Sequence, residues 1–336
     1  SLAYAQNRLS NIQFKSMSIE NDRVTIRLSN TGGKLIVKGD TLKGFTVSGE
    51  DRLKWLHALL SQNIVNLKPG ESCEALLLNP QGHIEAALHI VDDGARTTLI
   101  VDESAAELVM NHLTKMKLRT KVEIELHEDL QVFGSFENAI EGASVVWNDP
   151  WPGIYPGGYR YATNTGEPWN YFESVVAKSD LAEAGTVALE ALRVAAHRPS
   201  MAEVDEKTLP HELDWMATGV HLSKGCYRGQ ESVAKVHNLG HPPRRLVLLH
   251  LDGSGHMLPE IGAKVFSGET EVGRITSAGT HYEAGAIALA VVKRNVAEDA
   301  LLEVEGNISA SQQVIVPQSA GKVVTVPRNK LMMGRR

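Results

Sequence analysis

Cysteine is nearly absent from this chain: 336 residues hold two, Cys73 and Cys226, which lie far apart and belong to no spaced framework. Two thiolates cannot supply the four ligands of a typical iron–sulfur cluster, and without a Cys-x-x-Cys pair a thiolate zinc site is set aside as well. The scarcity fits a reducing compartment better than secretion. A Walker-type phosphate loop and a Gly-x-Gly-x-x-Gly after a strand are also missing, which argues against nucleotide hydrolysis. No apolar run approaches the ~20 residues a membrane helix needs. The opening Ser1-Leu2-Ala3-Tyr4-Ala5-Gln6 lacks a basic stretch ahead of an apolar core, so a cytoplasmic protein is expected. Positive charge is not in excess: 34 Lys plus Arg against 40 Asp plus Glu give a formal net charge of -6. No global field therefore draws in nucleic acid or anionic membrane.

What is present is an ordinary globular composition, 43% hydrophobic and 22% charged, enough for a sizeable core divided among two or three domains. Phe45-Thr46-Val47 reads as a strand leading into a helix with Leu53, Leu56, Leu59 and Leu60 at helical spacing, and Glu50 and Asp51 suit its positive end. The strand Ala75–Leu78 and the turn Asn79-Pro80-Gln81-Gly82 open a hairpin. Its return strand alternates, with Ile84, Ala86, Leu88 and Ile90 on one face and His83, Glu85, Ala87 and His89 on the other. That second face is polar enough to line a cavity. A strand at 98–101, a helix from Glu103 to Leu118 and a strand at 122–126 complete an α+β set with helices on an antiparallel sheet.

The turn-rich stretch 148–161 is rich in Trp and Tyr, unlike a disordered linker, and its aromatics serve either as core or as a stacking platform for a flat heterocycle. A strand at 171–176 and a helix from about Asp180 to Ala196 follow. Gly240-His241-Pro242-Pro243 stops any helix and marks a boundary. Beyond it, short strands at 246–251, 264–266, 272–276, 286–292 and 314–317 read as a small β-barrel or sandwich. His237 and His241 bracket a helix end, and one such pair is too few for a metal, so no metal site is expected.

The run Lys224-Gly225-Cys226-Tyr227-Arg228-Gly229-Gln230-Glu231 places a cysteine between two cations and two glycines. Neighbouring cations favour a thiolate, and glycines permit close approach. A small buried hydrophobe in a glycine-rich turn is the competing reading of Cys226. Glu85 on the hairpin face suits a cleft acid, although a side chain so placed is more often simply solvated.

The Cys226 run resembles the Lys-Gly-Cys-Tyr-x-Gly-Gln-Glu signature of the YgfZ-type folate-binding proteins, relatives of the glycine-cleavage aminomethyltransferase (T-protein). Similarity continues through Val47–Leu53, Leu78–Ile84, Ala191–Ala196 and Arg244–Val247. The resemblance implies a three-domain cloverleaf: two intertwined ferredoxin-like α+β domains and a C-terminal β-barrel around a cavity for tetrahydrofolate or a one-carbon derivative. It divides the chain into a poorly matched segment (1–40), an aminomethyltransferase-like folate-binding region (41–240), the barrel (241–327) and a basic tail (328–336). It further implies iron–sulfur client or assembly proteins as partners, tRNA modification affected through those clients, and no direct nucleic-acid binding.

In this picture Cys226 is the reactive group and Lys224 and Arg228 hold its thiolate. Gly225 and Gly229 shape the loop, while Gln230 and Glu231 anchor it or contact ligand. Glu85, Arg193, His197 and Tyr227 are the implied folate contacts. The aminomethyltransferase branch differs by an acidic pair in the hairpin, where this chain has Glu85-Ala86-Ala87, and by a pterin-binding glutamate where it has Ala195. A methyl cannot make the paired hydrogen bonds a carboxylate offers. His197 and Arg198 replace the Gly-x that commonly follows in YgfZ-type chains. The expected function is therefore a folate-binding accessory protein in iron–sulfur cluster assembly or repair, without aminomethyl transfer. The alternatives are a tetrahydrofolate-dependent aminomethyl- or demethylating transferase, and a ligand-free interaction scaffold.

Overall fold

The computed structural model describes residues 13–14, 28–29, 36–38, 42–127, 130–164, 166–177, 186–252 and 258–324. The expected basic tail, most of segment 1–40 and the start of the helix expected from Asp180 lie outside them. Strands β1 (Gln13–Phe14) and β2 (Leu28–Ser29) pair with each other, and β3 (Ile36–Lys38) joins a larger sheet.

Alternating apolar residues draw β4 (Leu42–Ser48), β5 (Ser72–Leu78), β6 (Ile84–Asp92), β7 (Arg96–Asp102) and β8 (Glu123–His127) into an antiparallel sheet of order β5-β6-β7-β4-β8. Helices α1 (Arg52–Leu59) and α2 (Glu103–Lys117) pack on it through Trp55, Leu56, Val109 and Leu113. Each such buried side chain contributes roughly 1.5–3 kcal/mol. Asp102 caps α2 by accepting from the Ser104 amide at 2.9 Å, and Lys115 and Lys117 suit its negative end.

The clean alternation expected of β6 breaks at one point. Leu77 pairs with Ala86 but Leu78 with Ile84, so Glu85 is a bulged extra residue and Ile84 joins Ala87 in a different core from Ala86 and Leu88. A bulge re-aims side chains in this way without a signal in hydrophobic periodicity.

A second antiparallel sheet has the order β10-β11-β9-β3, with β9 (Leu130–Phe136), β10 (Val145–Asn148) and β11 (Tyr171–Ala177). β9 and β10 were not anticipated from sequence. β9 is interrupted by Gly134, whose missing side chain leaves room for the Tyr171 ring from β11. Trp147, Trp151, Trp169 and Tyr171 build the core beside this sheet, with Val91 and Ile100 contributed by the first. Helix α3 (Thr186–Ala195) closes one side.

Helix α4 (Gln230–Leu239) stops at Gly240, and the barrel follows: β12 (Arg244–Leu251), β13 (Lys264–Ser267), β14 (Thr270–His281), β15 (Gly285–Lys293), β16 (Leu301–Val304) and β17 (Ile308–Val314). It closes in the order β12-β15-β14-β13-β16-β17. β16 escaped the sequence reading because it is only four residues long, and the last strand ends at Val314 rather than beginning there, because its Ser309-Ala310-Ser311-Gln312-Gln313 stretch is mostly polar. Along β12 the two-residue period sorts side chains: Val247 and Leu249 fill the barrel, while Leu246 and Leu248 join the core that meets the hairpin. The architecture is α+β with a closed six-stranded barrel at the C-terminal end. Among the described residues no helix is long and apolar enough to cross a membrane.

Candidate functional site

Between the two sheets, α3 and the segment after it lies a cavity of about 240 Å³. Its walls include Ala87 and His89 of β6, Tyr171 and Glu173 of β11, Trp169 and Trp215. Acid, base and aromatic groups converge here from six separate stretches of chain.

The His89 ring lies flat on Trp147, with centroids 3.7 Å apart and planes 5° from parallel, and Trp147 is itself fixed by an Nε1 bond to the Cys73 carbonyl at 2.9 Å. His89 Nδ1 donates to Glu173 Oε2 at 2.7 Å, and its Nε2 lies 3.7 Å from Glu74 Oε1. Burial alone would lower the His89 pKa, but the Glu173 and Glu74 carboxylates outweigh it and hold the imidazole above its ordinary value. Arg198, fully enclosed, donates to Glu74 at 2.6 Å and to Asp149 at 2.9 Å. Thr218 adds a bond to Glu74 at 2.5 Å. Despite burial, Arg198 and His89 keep Glu74 below the usual carboxylate range, whereas burial pushes Asp149 up.

Arg193 is equally enclosed, donating to Glu190 at 2.9 Å, to Glu203 at 2.9 Å and across to Ser277 of β14 at 2.5 Å. It thereby ties the cavity to the barrel. Buried charges that are paired and hydrogen-bonded in this manner cost stability when one partner is lost, and they fix the relative placement of the elements that carry them.

The Cys226 run forms a second locus. Gly229, with φ of 83°, leads into α4, and its backbone rests on the Asn79–Gly82 turn. A Cβ on Gly229 would sit 2.5 Å from the Asn79 carbonyl oxygen and 3.0 Å from Gly82 Cα. Two segments far apart in sequence thus meet through glycine backbones, and Arg228 Nη1 reinforces the junction by donating to Glu85 Oε2 at 3.0 Å. Cys226 is exposed and Cys73 is buried, where burial raises its thiol pKa. The reading of Cys226 as a small buried hydrophobe is thereby overturned.

The expected cationic cradle around the thiol takes a different form. Lys224 is buried and its ammonium donates to the carbonyls of His57, Leu60 and Gln62 at the C-terminal end of α1, the last at 3.0 Å. Burial lowers its pKa to about 8, which leaves it charged at neutral pH. Lys224 therefore pins the loop to α1, and Arg228 pairs with Glu85. Gln230 anchors the loop through an Nε2 bond to the Lys224 carbonyl at 3.2 Å, while Glu231 is exposed on the first turn of α4. Gly225 has open space around it.

Of the implied folate contacts, only Arg193 lines the cavity. Glu85 is at the hairpin–loop junction, Tyr227 is packed in the core that meets the barrel, and Ala195 packs in that same core. His197 is buried with φ of 56°, the left-handed conformation glycine adopts most easily, and burial lowers its pKa to about 4. His237 and His241 are engaged by the Tyr161 hydroxyl at 2.6 Å and the Ala320 carbonyl at 2.7 Å. The polar face of β6 does reach the cavity, through Ala87 and His89. Glu74, Asp149, Glu173 and Trp215 were not singled out as site residues, and Arg198 was noted only as part of the replacement of Gly-x. The one signal for Glu74 was a glutamate inside the otherwise apolar Cys73–Leu78 strand.

Residues 244–317 match the family described as the glycine cleavage T-protein C-terminal barrel domain. The glycine cleavage system aminomethyltransferase T from Bartonella henselae superposes with a TM-score of 0.66 at 17% identity, covering 94% of this chain and 96% of that one. The chain carries the aminomethyltransferase fold. A protein named iron-sulfur cluster assembly factor IBA57 homolog, mitochondrial, from Aspergillus clavatus is 29% identical over 273 residues, 68% of this chain and 59% of its own length. An aminomethyltransferase from Rippkaea orientalis is 27% identical over 312 residues, 81% of this chain and 82% of its own. The chain spans little more than half the length of the IBA57 homologues from Mycosarcoma maydis and Aspergillus clavatus.

Proposed function

We propose that this protein is a folate-binding accessory factor in iron–sulfur cluster assembly or repair, acting on or with assembly proteins and affecting tRNA modification only through client enzymes. The observation that carries the ligand half is the cavity between the sheets, whose aromatic walls and converging polar groups suit a flat, hydrogen-bonding heterocycle. At about 240 Å³ it falls below the roughly 300–1,000 Å³ of pockets that enclose a drug-sized molecule. It suits the ring system, with the tail outside. Similarity to the Aspergillus assembly factor supports the cellular role.

Bound tetrahydrofolate would supply a carrier for a one-carbon unit. The chain's own part is to hold the ring between paired charges and to present Cys226 on a loop pinned by Lys224 and Gly229. Calorimetric titration with tetrahydrofolate tests the ligand; no binding at near-millimolar concentration leaves the interaction scaffold as the better reading. Complementation with Cys226→Ala in cells lacking the protein tests the thiol, and full recovery of iron–sulfur enzyme activities would remove it from the function.

The match to the Rippkaea aminomethyltransferase over most of both chains favours a second reading, a folate-dependent transferase. Turnover of a methylamine donor with tetrahydrofolate decides between the two.

A further inference from the structure

The cations that line the cavity are committed to the chain itself. Arg193 directs Nε, Nη1 and Nη2 to Glu190, Glu203, the Arg198 carbonyl and Ser277. Arg198 directs its three nitrogens to Asp149, the Pro199 carbonyl and Glu74. His89 gives Nδ1 to Glu173. An anionic group entering this space meets cations that are already neutralised.

The carboxylates, by contrast, are in excess. Asp102, Asp149, Glu173 and Glu190 line the space, and Glu74 and Glu203 stand directly behind its arginines. Burial raises Asp149, yet with that group taken as neutral five carboxylates still face Arg193, Arg198 and His89. Lys43, next to the lining residue Leu42, pairs with Glu103 and leaves the balance unchanged. An excess of one sign around a space of low dielectric favours the opposite sign inside it. A separate observation marks the space as a ligand site: Trp215 lines it with a wholly buried Nε1–H that has no partner among the described residues, so its acceptor comes from outside the chain.

We propose that this cavity selects among folates by charge, holding a ring system that carries a delocalised positive charge, the amidinium of 5,10-methenyltetrahydrofolate, in preference to neutral one-carbon forms. The same carboxylates turn the anionic tail outward. This inference rests on the folate reading of the cavity and adds to it which form of the carrier is held.

The test measures 5,10-methenyltetrahydrofolate against 5-formyltetrahydrofolate by calorimetry on the full chain, at mildly acidic pH, with the near-ultraviolet absorbance of the cation confirming that it is intact. The two ligands share the tail and the oxidation level of the added carbon, and they differ by one charge. The unaltered protein is expected to bind the cation about 10–100-fold more tightly. Asp102→Asn combined with Glu190→Gln removes two lining charges, keeps an α2 cap because Asn serves as well as Asp, and leaves Arg193 its bond to Glu203. This variant should bind both ligands within about 3-fold of each other, through weaker binding of the cation alone. Equal affinities in the unaltered protein, or a preference for the neutral ligand, overturn the proposal and leave the folate reading intact. A preference that persists in the variant overturns it too, since shape and not charge then selects. Absence of binding by both ligands and by tetrahydrofolate overturns both readings. Should the double substitution fail to fold, Asp102→Asn alone is expected to reduce the preference about threefold. An unchanged preference there refutes selection by charge.

Discussion

Around the central cavity every positive group is held by carboxylates drawn from distant parts of the chain: Arg198 by Glu74 and Asp149, His89 by Glu173, Arg193 by Glu203. The Cys226 loop is held mainly by backbone groups, through the contact of Gly229 with the Asn79–Gly82 turn and the Lys224 ammonium on three carbonyls, with the Arg228–Glu85 pair beside them. The first arrangement fixes several elements around one space. The second leaves one side chain exposed on a firm base, which suits a group that must meet a macromolecular partner.

The sharpest way to break this comparison is to remove the cation at the centre of the cavity wall. Arg198→Met leaves Glu74 and Asp149 buried without compensation and is expected to cost about 3–5 kcal/mol, read by urea denaturation. Adding Glu74→Gln and Asp149→Asn should restore most of that loss. A cost below about 1 kcal/mol for Arg198→Met would mean that packing, and not the ion pairs, positions the walls.

Acid separates the cavity from the ground beneath the loop. His211, which holds the Val233 carbonyl of α4 at 3.1 Å, is pushed down to about 3 by burial, and His197 to about 4. Their contribution is complete above the unfolded value near 6.5 and is lost as pH falls toward those folded values. Burial raises Glu212 to about 7 and Asp214 to about 6, so their contribution is complete in acid and is lost as pH rises through those values. Two losses and two gains oppose each other at about 1.4 kcal/mol per group per pH unit. The combined contribution of these four groups should therefore stay nearly level from pH 6 to 4.5, and below that the depressed carboxyls Glu74 and Glu203 add to the decline. Glu212→Gln removes one of the two gains, so over that same window the variant should lose about 1.4 kcal/mol per pH unit relative to the parent. Guanidine melts at half-unit pH steps check both curves.

The two regions also differ in how far sequence exposes them. The loop is contiguous, so eight residues display it, and the Asn79–Gly82 turn has its own local signature. Long periodic elements such as α2 and β6 were legible for the same reason. The cavity polar set joins positions 74, 89, 149, 173 and 198, and nothing local brings them together. β9 was hidden because Gly134 makes room for an aromatic from another strand, and the Glu85 bulge because a one-residue insertion leaves hydrophobicity unchanged. Lys224 looked like a partner of its neighbour in sequence, yet its long stem carries the charge to α1.

That last point can be sharpened directly. Lys224→Met removes bonds to three carbonyls and should cost about 1–3 kcal/mol by thermal or urea unfolding. Because the ammonium is directed at α1, the rate of Cys226 alkylation at pH 7 should stay within about 2-fold of the unaltered protein under native conditions. A much slower reaction with unchanged stability would instead return Lys224 to the role of thiolate partner.

The smallest effects distinguish the two glycines. Gly229→Ala places a methyl 2.5 Å from the Asn79 oxygen at a φ of 83°, a conformation that costs an L-residue about 1–3 kcal/mol. Gly225→Ala meets nothing within 4 Å and should fall within about 0.5 kcal/mol of the parent. Tetrahydrofolate affinity should be the same in both variants, because neither glycine lines the cavity. Equal stability losses at the two positions would mean that the loop does not rest on the hairpin turn. A loss of folate affinity in Gly229→Ala alone would join the two regions into one site.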